Sequence, residues 1–300
     1  MSLPSGLQKQ ALSEHEHPRV FRGNAYVYPV LSRRASGISV GINLNPDKAC
    51  TFNCVYCQVD RAVARSAKPL PVSLPKLFEE LRGVLSGFVP GGALWNQPEF
   101  AALPPARKRV ADIAFSGDGE PTAFRSFSHA VQGCIEVTES FAPAFADAKV
   151  VLITNSSGLS RPDVRRGLAF LDQHHGEVWA KLDAGTAEHF RRINSAAFPF
   201  QKAFANILAC ARRREIVIQS CFMRMNGAGP AAAEIAAYVD CLKDIVARGG
   251  RVRLVQVYTL ARAPARGGVA SLSNAEVDAI AERVRAGAGL QAMAFYGRVP

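Results

Sequence analysis

No apolar run in the 300 residues approaches the roughly eighteen needed to span a bilayer. Residues 1–19 are polar, contain proline and lack the apolar stretch of a secretory signal. The expectation is a soluble, cytoplasmic protein with no membrane contact. A disulfide framework is missing too: the seven cysteines are an odd number, and three of them fall within residues 50–57. That crowding points to reduced thiols around a metal in a reducing compartment. Acidic residues are the scarcer sign, 25 against 36 lysines and arginines, for a net charge of +11. This excess favours an anionic partner such as nucleic acid or a phosphorylated metabolite. The arginines are scattered, however, with short clusters only at 212–214 and 262–266, so a well-solvated basic surface is the competing reading. No internal repeat and no break in composition divides the chain.

What is present is alternation. Short runs rich in Val, Ile and Phe at 37–44, 112–116, 149–154, 177–182, 216–223 and 252–259 have strand length. Stretches with apolar residues three and four apart follow them at 74–86, 126–140, 162–174, 200–213, 231–247 and 275–285. Six strand-helix units predict an α/β fold with a mostly parallel sheet. Residues 90–109, with Gly91-Gly92, Pro98 and Pro104-Pro105, break every periodicity and read as an insertion. A short strand is expected at 291–296. The organisation expected is a lead-in over 1–35, a core over 36–260 and a C-terminal helix and strand over 261–300.

The strongest chemical signal is Cys50-Thr51-Phe52-Asn53-Cys54-Val55-Tyr56-Cys57, directly after the first of these strands. Open sheets and barrels of parallel strands keep their chemistry at that end. Three soft ligands suit iron–sulfur or zinc, yet either site held by protein alone wants four. No neighbouring Cys or His completes the set, so one metal position is left open. The spacing closely resembles that of the radical S-adenosylmethionine superfamily. The resemblance implies a [4Fe–4S] cluster on Cys50, Cys54 and Cys57, with S-adenosylmethionine on the open iron and Tyr56 beside it. It also implies a partial (βα)6 barrel.

A second match is Ser116-Gly117-Asp118-Gly119-Glu120-Pro121-Thr122 at the end of the second strand of the series. It resembles the family's Gly-Gly-Glu-Pro element, whose backbone holds the amino group of the cofactor. Asp118 stands where many members have glycine, a form similar to the branch containing the wyosine-base tRNA enzymes. Those enzymes carry further N-terminal cysteines, and this chain has none before Cys50. By the same resemblance, Asn155, Asp183 and Arg224 at strand ends are candidates for holding the cofactor. Lys181 and Asp183, sharing one strand face, are the catalytic candidates. Lys181 is either a carboxylate partner or an amine able to form a Schiff base. Cys134, Cys210, Cys221 and Cys241 read as core packing. The six histidines lack metal-ligand spacing.

The resemblance implies reductive cleavage of S-adenosylmethionine and hydrogen abstraction from a substrate, with an RNA base favoured by the basic charge. It further implies a reducing partner such as flavodoxin or ferredoxin. The alternatives are an activase of a glycyl-radical enzyme or a peptide modifier, and a non-catalytic zinc or iron–sulfur module that binds nucleic acid.

Overall fold

A computed structural model describes residues 19–61 and 71–297. Most of the 1–35 segment, with His15 and His17, therefore lies outside the described residues. The chain runs β1 (Val27–Ser32), β2 (Gly37–Asn43), α1 (Leu74–Phe88), α2 (Pro98–Ala101), β3 (Val110–Ser116) and α3 (Phe127–Glu139). It continues with β4 (Lys149–Thr154), α4 (Pro162–Gln173), β5 (Glu177–Lys181), α5 (Ala187–Asn194), α6 (Phe200–Arg213) and β6 (Glu215–Cys221). The last elements are β7 (Arg224–Met225), α7 (Ala232–Ala247), β8 (Arg251–Tyr258), β9 (Val269–Ala270), α8 (Asn274–Ala288) and β10 (Ala292–Phe295). No helix among the described residues is long and apolar enough to cross a membrane.

Helix ends follow local chemistry. Ser73 accepts from the Lys76 backbone N–H to open α1, and Ser273 and Glu276 form a reciprocal capping box on α8. Gly289 ends α8 with φ 65°, a backbone conformation that glycine adopts without a Cβ penalty.

Eight strands form one sheet in the order β1-β2-β3-β4-β5-β6-β8-β10. Only β1 is antiparallel to its neighbour. Parallel strands laid down in chain order, joined by right-handed crossovers, place their helices on one face and leave the other as an interior. The helix side carries the main core, with Ile38, Val40 and Ile42 of β2 packed together with Leu77, Leu81 and Val84 of α1. The opposite face has its own small apolar cluster of Ala114, Val151, Trp179 and Val217. Strand alternation then puts Asn155, Lys181, Asp183, Gln219, Gln256 and Tyr258 on that same inner side.

The sheet curls, bringing the turn after β1 to the end of β8. Arg33, in the turn after β1, donates to the Thr259 carbonyl beyond β8 at 3.4 Å. The Arg34 guanidinium lies 5.1 Å from the centre of the Tyr258 ring. The α/β partial barrel is thus present, with each expected strand and helix found within three residues of its predicted ends.

Three features differ from the sequence reading. Strand β1 lies inside the segment read as a lead-in, where Pro29 obscures it; an edge strand tolerates the missing N–H. The buried Glu80 carboxylate of α1 accepts the N–H groups of Ala25, Tyr26 and Val27, at 2.9, 2.8 and 3.2 Å, and so fixes the entry to β1. Residues 90–109 are short turns whose Leu94, Phe100 and Leu103 are buried, so this segment contributes to the core. Helix α5 had no expected counterpart.

Candidate active site at the cysteine loop

The loop between β2 and α1 carries the three thiols at the C-terminal end of the parallel strands. Helix α5 holds it in place: the Asn53 N–H donates to Asn194 O at 3.0 Å and the Val55 N–H to Ile193 O at 2.8 Å. Phe52 packs edge-on against Phe190, with ring centres 5.4 Å apart. From the other side, the Ala265 N–H donates to Cys57 O at 2.8 Å.

Each sulfur receives one side-chain N–H from a different wall. Asn155 Nδ2 lies 3.8 Å from Cys50 Sγ, Asn194 Nδ2 3.4 Å from Cys54 Sγ, and Arg61 Nη2 3.5 Å from Cys57 Sγ. Burial pushes the Cys50 thiol up, opposed by the Phe52 N–H, and the Cys54 thiol to about 12, opposed by the Asn194 side chain. No three His, Cys, Asp or Glu side chains among the described residues are already gathered as metal ligands. A metal would have to draw the three sulfurs together and displace their protons. The donor set fits an iron–sulfur cluster: three cysteine sulfurs, N–H groups directed at them, and no fourth protein ligand among the described residues.

The glycine-rich turn is built against this loop. Gly117 has φ +125°, and a Cβ there would lie 2.7 Å from Asn43 Oδ1. A Cβ on Gly119 would fall 1.9 Å from the Ala49 carbonyl oxygen. The two glycines therefore let the turn approach β2 and the cysteine loop closely. Asp118 is engaged by Asn43 Nδ2 at 2.8 Å and Arg19 Nη1 at 3.1 Å, and its carbonyl accepts from Arg61 at 2.7 Å.

Glu120 is buried beside Pro121. Its Oε1 accepts the Thr122 N–H at 3.1 Å and the hydroxyls of Thr122 and Thr154, both at 2.6 Å, and its Oε2 accepts the Asn155 N–H at 2.7 Å. Burial raises its pKa, and these four donors oppose that rise. Glu120 thus joins the ends of β3 and β4 and positions Asn155, which also donates to Thr51 Oγ1 at 2.9 Å.

Lys181 and Asp183 meet as the strand alternation predicted. Their charged atoms are 3.3 Å apart, and Asp183 also accepts the Cys221 N–H at 2.9 Å, Asn194 Nδ2 at 3.2 Å and the Tyr56 hydroxyl at 2.5 Å. Lys181 hydrogen-bonds to the Tyr258 hydroxyl and sits between the Tyr56 and Tyr258 rings. Burial disfavours its charge, but Asp183 and Tyr258 outweigh that and raise its pKa. The amine is held as an ammonium, which matches the carboxylate-partner reading. Burial, then Asp183, keeps the Tyr56 phenol well above its usual pKa and hence a donor.

Arg224 is the one candidate not brought into this cluster. Strand β7 pairs with β9, and the Arg224 guanidinium contacts Glu276 at 2.5 Å and the Gly227 carbonyl at 3.2 Å. It lies in the small ribbon into which the chain turns after β6, apart from the residues gathered at the cysteine loop. Asn194, Arg61 and Tyr258 had not been singled out as site residues. Asn194 ends a helix that the sequence reading omits, and a lone arginine or tyrosine carries no spacing signal.

No family model matches the chain. It is 29% identical over 167 residues to a GTPase Obg of Brachyspira hyodysenteriae, covering 55% of this chain and 20% of that one. It is 31% identical over 170 residues to a UPF0026 protein of Methanocaldococcus jannaschii, covering 55% and 42%. A UPF0026 protein of Helicobacter pylori is 22% identical over 219 residues, covering 72% and 61%. The chain therefore spans less than two thirds of the length of these curated relatives. Among solved structures, archaeal TYW1 matches with a TM-score of 0.43 at 11% identity, over 85% of this chain and 73% of that one. BtrN in complex with AdoMet and 2-DOIA matches with a TM-score of 0.30 at 19% identity, over 54% and 53%. Over the matched part, the chain is similar in sequence to the UPF0026 proteins.

Proposed function

We propose that this chain is a radical S-adenosylmethionine enzyme whose cluster is held by Cys50, Cys54 and Cys57. The observation that carries this reading is the arrangement at sulfur: three thiols in one loop, each with its own N–H donor, and no fourth ligand among the described residues. When bound, a [4Fe–4S] cluster supplies the electron for reductive cleavage of S-adenosylmethionine, which leads to hydrogen abstraction from the substrate.

The chain's own residues prepare the place. Asn155, Asn194 and Arg61 direct N–H groups at the sulfurs and orient them. The turn at Gly117 and Gly119 lies directly on the loop, so cofactor atoms held by its backbone would be close to the metal. The clasp between Tyr56 and Asp183 ties the third cysteine to the end of β5 and keeps the Lys181 ammonium inside. Phe52, Phe190 and Phe198 cover the loop and limit water.

The net charge of +11 supports an anionic substrate and favours an RNA base over a peptide or a glycyl-radical enzyme. A flavodoxin- or ferredoxin-like donor is the class of partner the chemistry requires. Anaerobic reconstitution with iron and sulfide tests the metal assignment. About four irons and four sulfides per chain, lost when the three cysteines are replaced, is the expected result. One tightly bound zinc and no cluster would overturn it.

A further inference from the structure

The three side chains that donate to sulfur are not alike in charge. Asn155 and Asn194 bring neutral amides to Cys50 and Cys54, whereas Arg61 brings a guanidinium to Cys57, 3.5 Å from its sulfur. Through Nη1 the same guanidinium donates to the Lys48 and Asp118 carbonyls, both at 2.7 Å. One planar group thereby joins the segment before Cys50, the glycine-rich turn and the third cysteine. Its Nε is buried and has no hydrogen-bond partner.

None of the acceptors of Arg61 is a carboxylate, and no carboxylate among the described residues forms an ion pair with it. The acids of the site are engaged elsewhere. Asp118 is held by Arg19 at 3.1 Å and Asn43 at 2.8 Å, Glu120 by its four donors, and Asp183 by Lys181 at 3.3 Å. A half-buried guanidinium without a carboxylate is costly unless another anion answers it. Cys57 becomes part of such an anion once the three thiols give up their protons to a metal centre.

Reduction adds one electron, and so one negative charge, to a cluster that three thiolates already make anionic. A cation held against one of those sulfurs favours the reduced form, the more so where water is sparse. The two amides carry no such charge.

We infer that Arg61 sets the reduction potential of the cluster, holding it above the value that the three thiolates and the two amides alone would give. This inference rests on the cluster assignment proposed above and adds a positioned charge to it.

A redox titration of the anaerobically reconstituted full chain, poised with dithionite and followed by electron paramagnetic resonance, tests this. The neutral replacements Arg61→Gln and Arg61→Met should keep the parent's iron and sulfide content. Their midpoint potential should fall by about 59 mV, a tenfold smaller equilibrium constant for a one-electron couple. Arg61→Lys, which keeps the charge and loses the fork, should show less than half of that fall. Arg82→Gln, which removes an exposed charge from α1, should leave the potential unchanged. A full cluster whose potential is the same in the parent and the neutral variants would overturn the inference and leave the enzyme class standing, as would an Arg61→Lys potential as low as theirs. Failure of all three Arg61 variants to assemble a cluster would make the arginine an assembly residue and overturn it too. A parent that takes up zinc and no cluster would overturn both the inference and the proposed function.

Discussion

The Tyr56 hydroxyl donates to Asp183 Oδ2 at 2.5 Å, across 127 residues of sequence. Through this bond the residue preceding the third thiol is fixed to the strand end that also holds Lys181 and, through Asn194, Cys54. Cysteine loop, α5 and β5 are therefore one mechanical unit.

Breaking this unit at its acid should hurt more than breaking it at the phenol. Asp183→Asn leaves the Lys181 ammonium without its counter-charge and should lower stability by roughly 3 kcal/mol, whereas Tyr56→Phe removes one charge-assisted hydrogen bond and should lower it by about 1.5 kcal/mol. Denaturant midpoints measure both. Equal and small losses would contradict the ion-pair account.

Glu120→Gln should also be harmful despite its near-identical shape. The carboxylate accepts four donors, and an amide nitrogen placed against either the Asn155 N–H or the Thr122 N–H opposes donor to donor. A loss of about 2 kcal/mol is expected, with faster amide hydrogen exchange at residues 154–157. Unchanged exchange there would show that Glu120 does not organise the β4 end.

Thiols should separate by location. Cys54→Ala should abolish iron uptake and keep a folded chain. Cys134→Ala, within the buried face of α3, should retain full iron content and instead lose about 1 kcal/mol of stability. Iron analysis and thermal melting together read this contrast. Full iron content in Cys54→Ala would contradict it.

Far from the thiols, Asp112 lies buried at the start of β3, where the Ser39 hydroxyl donates to it. Burial raises its pKa from 3.8 to about 6, opposed by the Ser39 bond and then by Arg34. The folded chain therefore holds this proton more tightly than the unfolded one. Its contribution to stability is complete below pH 3.8 and is lost as pH rises through about 6, a difference of about 3 kcal/mol. Asp112→Asn mimics the protonated side chain, so it should raise the melting temperature at pH 8 and leave it nearly unchanged at pH 4. An equal shift at both values would contradict the assignment.

The parallel strands were legible because their Val- and Ile-rich runs are short and evenly interrupted, and the helices because their apolar spacing is regular. The cysteine loop and glycine turn were legible because both are contiguous. Strand β1 was hidden by Pro29, and α5 by its polar composition, although Thr186 caps it and Ser195 ends it at φ 43°. The donors to sulfur escaped for a different reason. Asn155, Asn194 and Arg61 converge from three separate segments, and only the curled sheet brings them together.

The central claim is that the three thiols present a cluster to S-adenosylmethionine. Its most direct test is a chromatographic assay for 5′-deoxyadenosine after anaerobic reconstitution and chemical reduction. The account predicts 5′-deoxyadenosine from the parent chain and none after replacement of Cys50, Cys54 or Cys57. An intact cluster that binds S-adenosylmethionine without cleaving it, or cleavage that survives loss of a cysteine, would contradict it.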